Sequence, residues 1–304
     1  MSRAAMYDEV GDPRVLYIGQ VTDTAPGPGK VAVRVRAAGL NPYDSKVLSG
    51  AIASTAPFPR RIGGDLAGSV EAAGEGAVYA DGAPVRVGDE VLGRAAGAIA
   101  ERVIAMASDL APRPAGLAVE VAGGLHVAGL TAVAILDTVP IGPGDTVLVG
   151  GAAGGVGLIA AQLAVAAGAR VIGTASARNH ELLRSLGVEP VSYGDGLAAR
   201  VAARARLTAV YDCHGRDALD AGITLGVAAE HMVAIAAGSA GDELGVHVAG
   251  QRARTAANLA ALAERVASGE IVVPVAATYP LDQVSAAFTA VAGTHAPGKI
   301  IVTL

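Results

Sequence analysis

The spacing of apolar and polar residues changes character once along the chain, near Glu120. Before that point, residues 31–36 alternate apolar and polar side chains, which is the period of a half-buried strand. Residues 62–74 predict a second strand that is bent by glycines, and residues 85–93 predict a short strand around a Gly-Asp turn. The first part of the chain is therefore expected to be β structure joined by turns.

After Glu120, helix-like and strand-like segments alternate. The predicted helices cover residues 121–136, 155–167, 179–186, 255–267 and 281–292, and the predicted strands cover residues 146–150, 170–174, 189–192, 209–211, 231–236 and 299–304. This alternation predicts an α/β fold with a doubly wound parallel sheet of the Rossmann type. Because the alternation stops before the last segment, the expected domains are residues 1–121, completed by residues 269–304, and residues 122–268.

Composition narrows the class of protein. Of the 304 residues, 52% are hydrophobic and 17% are charged, which is enough to build a large core. The formal net charge is −5 and no Lys/Arg cluster occurs, which argues against nucleic-acid binding. The single cysteine, Cys213, excludes a disulfide framework and any zinc site that needs two thiolates.

Residues 147–169 form a long apolar run with one clearly polar member, Gln162. The glycines inside this run and its strand-like start argue against a membrane-spanning helix. The N-terminus lacks an apolar signal segment. We therefore expect a cytoplasmic protein with no membrane partner.

A glycine-rich turn follows the predicted strand at residues 146–150. It consists of Ala152, Ala153, Gly154, Gly155, Val156 and Gly157, and an apolar helix pattern begins at once after it. Glycines in such a turn let backbone N–H groups approach a pyrophosphate, and the helix N-terminus adds partial positive charge. A strand before the turn and a helix after it predict a dinucleotide site, and the alternative is a tight strand-to-helix turn without a ligand.

The residues after the next predicted strand indicate which dinucleotide binds. A site for NAD usually carries Asp or Glu there to bind the ribose 2′-hydroxyl. This chain has Ser176 and Arg178 instead, which can donate to and pair with a 2′-phosphate. Tyr193, after the third strand, is a further candidate contact. NADPH is therefore the predicted cofactor. The alternative role for Arg178 is that of a solvated residue at the start of a helix, and the alternative role for Tyr193 is packing.

Several motifs together resemble the medium-chain dehydrogenase/reductase superfamily, specifically its zinc-free quinone oxidoreductase branch. They are Ala38-Gly-Leu-Asn-Pro-Tyr-Asp-Ser-Lys, Gly63-Gly-Asp-Leu-Ala-Gly, Val87-Gly-Asp-Glu-Val, Val127-Ala-Gly-Leu-Thr-Ala, Gly151-Ala-Ala-Gly-Gly-Val-Gly, Tyr279-Pro-Leu-Asp and Gly298-Lys-Ile. The resemblance implies an N-terminal GroES-like β domain, a Rossmann domain and a C-terminal return to the first domain. It also implies a homodimer, in which residues 244–248 would form an edge strand across the two-fold axis.

The resemblance also indicates which metal positions are missing. Zinc-dependent relatives hold catalytic zinc with Cys, His and Cys, and the corresponding positions here are Asn41, Gly64 and Val127. None of these residues replaces a thiolate or imidazole ligand well. No metal is therefore expected, and the hydride acceptor must already be polarised, as quinones and α,β-unsaturated carbonyls are.

The loop at residues 41–46 is the expected substrate side of the site. By resemblance, Asn41 would donate its amide to a quinone or enone oxygen, and Tyr43 would donate a hydrogen bond or a proton. Asp44 and Lys46 would form an ion pair that holds the loop, and Asp65 would order water at the vacant metal position. The alternatives are a turn role for Asn41 before proline and simple packing for Tyr43.

The resemblance implies that Thr131 lies against the nicotinamide. The alternative is that its hydroxyl donates a hydrogen bond to a backbone carbonyl of its own helix. His126 and His214 lie near the predicted cofactor loops, but we expect structural roles for both. Cys213 is expected to be a small buried residue rather than an activated thiolate.

The sequence therefore predicts an NADPH-dependent, zinc-independent quinone oxidoreductase that acts on a small quinone or activated enone. A reductase of enals, enones or enoyl thioesters is the alternative enzyme. An NADPH-binding sensor or structural protein without turnover is the alternative of a different class.

Overall fold

The computed structural model describes residues 1–238, 240–293 and 297–304. The strands are β1 (Ser2–Tyr7), β2 (Tyr17–Val21), β3 (Lys30–Gly39), β4 (Arg60–Arg61), β5 (Asp65–Ala73), β6 (Glu90–Arg94), β7 (Arg102–Met106), β8 (Leu110–Pro112), β9 (Thr146–Gly150), β10 (Arg170–Thr174), β11 (Glu189–Val191), β12 (Ala209–Asp212), β13 (Met232–Ala234), β14 (His247–Val248), β15 (Val275–Pro280) and β16 (Lys299–Thr303).

The α-helices are α1 (Pro42–Leu48), α2 (Val119–Gly123), α3 (Leu125–Thr138), α4 (Gly155–Ala166), α5 (His180–Ser185), α6 (Leu197–Ala202), α7 (Asp217–Thr224), α8 (Ala240–Leu244), α9 (Ala256–Ala267) and α10 (Val284–Gly293). Short 3-10 helices cover Pro13–Val15, Ala107–Asp109, Ala177–Asn179, Ala229–His231 and Leu281–Gln283. Among these described elements, no helix combines the length and apolar character needed to cross a membrane.

The first large sheet combines strands from both ends of the chain. Its order is β15-β16-β3-β5-β6-β8, with β7 also paired to β3. Strand β16 runs antiparallel to β3, and Ile301 lies opposite Gly39. A separate three-stranded sheet has the order β2-β1-β4. Because β16 pairs with β3, Lys299 lies at the end of the sheet where β3 is followed by α1.

The second large sheet has six parallel strands in the order β11-β10-β9-β12-β13-β14. Counted from β9, this is the order 3-2-1-4-5-6 of a doubly wound dinucleotide fold. The strand order reverses beside β9, which is the strand that leads into the glycine-rich turn. The predicted fold class is confirmed.

Three apolar cores hold these layers together. One core packs side chains of the first large sheet against β1 and α10, and it includes Tyr7, Leu66 and Phe288. The other two cover the faces of the parallel sheet, one with α3, α4 and α9 and the other with α6 and α7. Burial of apolar side chains on both faces explains why the strands of this sheet read as continuous apolar runs.

Three predicted elements differ from the structure. The predicted helix over residues 121–136 is two helices, α2 and α3, which meet at Gly124, where φ −101° and ψ 4° interrupt the helix. A side chain at Gly124 would collide with Ile301 and Lys299, so the position has room only for glycine. The predicted strand over residues 85–93 begins only at Glu90, since a turn with Gly88 at φ +95° precedes it. The predicted loop at residues 41–46 is largely helix α1, which Pro42 starts at its first position.

Candidate functional site

The glycine-rich turn joins β9 to α4. Thr174 holds the turn, because its Oγ1 accepts a hydrogen bond from the Gly151 N–H at 2.8 Å and its carbonyl accepts one from the Ala152 N–H at 2.9 Å. Gly157 is required for packing, since a Cβ there would lie 2.2 Å from the Gly151 carbonyl oxygen. The turn thus brings the start of α4 close against the end of β9.

The start of α4 is free of side-chain capping. Gly154 is its exposed N-cap residue and provides no capping side chain, and Gly155 and Val156 form the first turn. The first N–H groups of a helix have no partner within the helix, and the helix dipole adds positive charge there. With Ala152 buried and Gly154 exposed, the residues present fit a pyrophosphate group at this position.

The residues at the end of β10 carry polar donors and no carboxylate. Arg178 is exposed, and its Nε lies 3.4 Å from Ser176 Oγ. Tyr193 is also exposed, on the segment after β11, and no hydrogen bond among the described residues joins it to Ser176 or Arg178. Arg200 holds that segment by donating to the carbonyls of residues 192–195. The arrangement suits an anionic phosphate.

Four buried polar side chains meet where β3, β5 and β16 approach the start of α3. Lys299 Nζ donates to Asn41 Oδ1 at 2.5 Å and to the Leu40 carbonyl at 2.8 Å, and lies 4.0 Å from Asp65 Oδ2. Asp44 Oδ2 accepts the Asn41 backbone N–H at 2.8 Å. We call Asn41, Asp44, Asp65 and Lys299 the buried polar cluster; none of the four is more than 5% exposed.

The contact with Lys299 fixes the orientation of the Asn41 amide. An ammonium group only donates hydrogen bonds, so the amide oxygen must face it. The amide nitrogen of Asn41 is then a buried donor that makes no close hydrogen bond among the described residues, although the Asn41 side chain helps to lower the pKa of both Asp65 and Asp44. Asn41 therefore carries an N–H pair that is not committed to a close protein acceptor.

The two carboxyl groups of the buried polar cluster titrate near neutrality. Burial, and then repulsion from Asp65, raises the pKa of Asp44 to about 7. Burial raises the pKa of Asp65 to about 6, although the Lys299 charge, the Asn41 side chain and the Val127 N–H, 3.1 Å from Oδ1, oppose the rise. Burial also lowers the pKa of Lys299, against the attraction of both carboxyls. The cluster can hold or release protons around neutral pH.

The cluster also touches the glycine-rich turn through Lys299. A Cβ placed on Gly155 would lie 3.1 Å from Lys299 Cδ, and one on Gly124 would lie 3.2 Å from Lys299 Cβ. Asn41 and the start of α4 therefore both lie against the outer part of the Lys299 side chain, Asn41 at Nζ and Gly155 beside Cδ. The predicted cofactor turn and the predicted substrate residue thus adjoin the same lysine.

Tyr43 and Lys46 lie outside the buried polar cluster. Tyr43 is 57% exposed and Lys46 is exposed as well. The expected ion pair between Asp44 and Lys46 is wrong, because residues two apart on a helix point to different faces and Asp44 points inward. The loop is held by the bond from the Asn41 N–H to Asp44 and by helix formation.

Thr131 is buried on α3, and its Oγ1 accepts a hydrogen bond from Arg254 Nη1 at 2.8 Å. At the start of the same helix, His126 Nδ1 lies 3.8 Å from Asp65 Oδ1. Burial, and then the charges of Arg94 and Arg254, lower the pKa of His126 to about 4. The imidazole is therefore neutral at physiological pH.

Comparison with known proteins identifies the family. The chain matches the family model of the alcohol dehydrogenase GroES-like domain over residues 27–115 and that of the zinc-binding dehydrogenases over residues 186–302. It is 34% identical over 226 residues to a quinone oxidoreductase of Pseudomonas aeruginosa, covering 71% of this chain and 68% of that protein. The chain is a medium-chain dehydrogenase/reductase of the zinc-free quinone oxidoreductase branch.

Solved structures share the whole fold of this chain. Escherichia coli quinone oxidoreductase complexed with NADPH has a TM-score of 0.84 and 26% identity, and both chains are covered over 100% of their length. A mycobacterial protein complexed with NADPH has a TM-score of 0.86 and 29% identity, again with 100% of both chains covered.

Parts of two large proteins also match this chain. The Streptomyces venezuelae polyketide synthase component PikAII is 39% identical over 164 residues, and the Streptomyces orinoci protein NorB of the spectinabilin polyketide synthase system is 32% identical over 298 residues. The match covers 54% and 91% of this chain but only 4% and 13% of the two synthase proteins. The chain therefore spans a small part of these relatives.

Asn41 of the buried polar cluster is one of the three positions where the resemblance implies that zinc ligands are missing. Among the described residues, no group of three or more His, Cys, Asp or Glu side chains is arranged to hold a metal ion. Cys213 follows β12, where burial and the Asp212 carboxylate raise the pKa of its thiol, which does not favour a thiolate. His214 contributes its backbone N–H to Asp212 Oδ1 at 3.1 Å.

Sequence reasoning did not identify Lys299 or Arg254 as residues of the site. Lys299 was visible only as part of the Gly298-Lys-Ile motif. One usable signal was its setting, since Lys299 directly precedes Ile300, Ile301 and Val302 in a chain that contains only three lysines. Arg254 gave no comparable signal, because its partner Thr131 is 123 residues away.

Proposed function

We propose that this chain is an NADPH-dependent reductase that transfers a hydride to a small quinone or activated enone. The uncapped start of α4, the donors Ser176 and Arg178 and the absence of a carboxylate after β10 support NADPH as the cofactor. The relatives named above support the same assignment. The observation that carries the choice of acceptor is the amide nitrogen of buried Asn41, which makes no close hydrogen bond among the described residues, while Lys299 contacts Asn41 and also lies beside Gly155 of the cofactor turn.

NADPH, when bound, supplies the hydride itself, and the protein orients and polarises the acceptor. Asn41 donates from Nδ2 to the acceptor oxygen on which negative charge develops. Lys299 keeps that nitrogen facing the acceptor by holding the amide oxygen at 2.5 Å. A single positioned donor of this kind contributes about 10²–10³ in rate. A quinone needs no metal for this step, because its carbonyl is already conjugated with the bond that accepts hydride.

Thr131, Ala152, Gly154, Gly155, Val156, Gly157, Ser176, Arg178 and Tyr193 are proposed as the NADPH-binding residues. Tyr43 is 57% exposed, which favours a contact with the acceptor or with solvent over a buried proton-donating role. Asp44 and Asp65 are proposed to stabilise the charge of Lys299, which holds the Asn41 amide. Lys46 is proposed to have no catalytic role.

The test measures NADPH oxidation with 1,4-benzoquinone and phenanthrenequinone in the wild type and in Asn41→Asp. Aspartate keeps an oxygen for Lys299 and replaces the donor nitrogen with an acceptor. The expected result is a fall in kcat/KM of about 10²–10³, with the Kd of NADPH unchanged. Asn41→Ala should lose a similar factor, since it also lacks the donor. Full activity in both variants would contradict the proposed role of Asn41.

Reduction of an enoyl thioester is the second candidate. It is favoured by the match of 91% of this chain to part of a polyketide synthase protein, since such synthases carry their intermediates as thioesters. Crotonyl-CoA and 2-alkenals are the discriminating acceptors. A clearly higher kcat/KM for the thioester than for either quinone would replace the first proposal with this one.

We also propose that residues 1–121 with residues 269–304 form one domain and residues 122–268 the other. We also propose a homodimer that forms through strand β14, because β14 is the strand at one edge of the parallel sheet. Light scattering on the purified chain, with Val248→Arg as the interface variant, tests the dimer. A cytoplasmic location is likewise proposed and is tested by cell fractionation.

A further inference from the structure

Arg254 lies in the segment before α9, beside the middle of α3. Its Nη1 donates to Thr131 Oγ1 at 2.8 Å and its Nε donates to the Gly250 carbonyl at 3.3 Å. The side chain is half-buried, and no carboxylate among the described residues lies within ion-pair distance of it. Two residues earlier, by contrast, Arg252 is 82% exposed and pairs with Asp137 at 3.0 Å.

The surroundings of Arg254 carry further positive charge. The charges of Arg94 and Arg254 both act on the His126 ring, which lies beside Asp65. Arg94 pairs with Asp109 at 3.6 Å. Asp65 is engaged by Lys299 and by the Val127 N–H, so it does not serve as the partner of Arg254. Burial alone lowers the pKa of Arg254, which agrees with the lack of a nearby anion.

A half-buried guanidinium without a counter-ion is costly, because its two neutral partners recover only part of the lost hydration. A ligand that supplied an anion at this guanidinium would offset the cost. The phosphates of a dinucleotide have their own proposed donors, at the start of α4 and at Ser176 and Arg178. The electron acceptor remains as the source of the anion.

We infer that Arg254 recognises an anionic group on the electron acceptor, and that the preferred substrates are quinones or enones that carry a carboxylate. This inference rests on the proposed function. The guanidinium has two uses here: Nη1 holds the Thr131 hydroxyl as an acceptor, which leaves the hydroxyl hydrogen free to donate, and the remaining N–H groups pair with the carboxylate. Carboxylate and guanidinium match in geometry, which gives selectivity over a neutral acceptor.

The test compares two acceptors with the same reacting ring, 3-(1,4-benzoquinonyl)propanoate and its methyl ester. Wild type, Arg254→Met, Arg254→Lys and the matched control Arg252→Met are assayed with NADPH. Arg254→Met is expected to lower kcat/KM for the propanoate at least tenfold relative to the ester, which corresponds to about 1.4 kcal/mol. Arg254→Lys should restore part of that ratio, and Arg252→Met should leave it unchanged.

Three outcomes overturn the inference. Equal losses on both acceptors would assign Arg254 a structural role through Thr131. A weaker Kd for NADPH in Arg254→Met, with the acceptor ratio unchanged, would assign Arg254 to the cofactor. An unchanged ratio with an unchanged Kd would show that no anion binds there.

A binding measurement separates this inference from the proposed reaction. Calorimetric titration of 3-(2,5-dihydroxyphenyl)propanoate and its methyl ester into the NADP⁺-loaded protein does not depend on turnover. If the wild type reduces neither quinone, the proposed function fails. Arg254 is then judged by this titration, where loss of the propanoate preference in Arg254→Met supports the inference and its retention refutes it.

Discussion

Lys299→Met removes the cation of the buried polar cluster while keeping most of the side chain's length. The apolar stem can still pack against Gly124 and Gly155, but the Leu40 carbonyl and Asn41 Oδ1 lose their donor. A buried acceptor left without a partner costs about 1–3 kcal/mol. Asp65, which is fully buried, also loses the charge that faced it at 4.0 Å. Removing one partner of a buried ion pair costs about 3–5 kcal/mol.

These costs overlap, so we expect Lys299→Met to lower the free energy of unfolding by about 3–5 kcal/mol at pH 8. At pH 5 the loss should be nearer to about 1–3 kcal/mol. The reason is that the pKa of Asp65, about 6, and that of Asp44, about 7, both lie above pH 5. Loss of the lysine charge raises both values further, so both groups are then protonated and leave no unpaired charge.

Urea unfolding followed by far-ultraviolet circular dichroism at the two pH values measures this difference. Lys30→Met is the matched control, since Lys30 is exposed and the same charge is removed from the chain. The control should change stability by less than about 0.5 kcal/mol at either pH. A loss for Lys299→Met that is equal at pH 5 and pH 8, or no larger than that of the control, would refute the electrostatic account of the cluster.

Three further predictions concern the cofactor turn and the cluster. Arg178→Ala should remove most of the preference for NADPH over NADH, as measured by the two dissociation constants, and an unchanged ratio would contradict its assignment to the 2′-phosphate. Gly157→Ala should lower the free energy of unfolding by about 1–3 kcal/mol, because its Cβ would lie 2.2 Å from the Gly151 carbonyl oxygen. Gly154→Ala is the control and should leave stability unchanged, because its Cβ would lie 3.3 Å from the nearest atom. Equal shifts of the two variants in thermal unfolding would count against this reasoning. Asp44→Asn keeps an acceptor for the Asn41 N–H but cannot titrate. Since the raised pKa of about 7 makes the wild type lose stability as pH rises from about 4 through 7, the variant should show a flatter dependence, and parallel curves would refute it.

The fold was largely predictable because its signals are local. The alternation of helix and strand after Glu120 and the turn at residues 152–157 each depend on residues close together in the chain. The close packing against Gly124 was not predictable, because Lys299 and Ile301 reach it from a strand that is distant in sequence. Local apolar periodicity continues across that glycine, so the pattern alone favours one helix.

The site was predictable only in part, for the same physical reason. Asn41 and Asp65 could be proposed from motifs, but the role of Lys299 depends on a contact with Asn41 across 258 residues. The expected pair of Asp44 with Lys46 was wrong because burial, rather than sequence proximity, decides which groups meet. Arg254 shows the same limit. The sequence does not distinguish it from Arg252, which is exposed and forms a surface ion pair with Asp137.

The position of Lys299 on β16 also bears on how the chain acquires its site during synthesis. A ribosome adds about 5–20 residues per second, so Lys299 follows Asn41, 258 residues earlier, by about 13–52 s. Throughout that interval Asp44 and Asp65 have no cation to accompany them into the interior, and the edge of β3 that pairs with β16 stays open. The pairing of β3 with β16 and the contact of Lys299 with Asp65 can therefore form only after β16 has been synthesised, and a chain released before Lys299 would lack both.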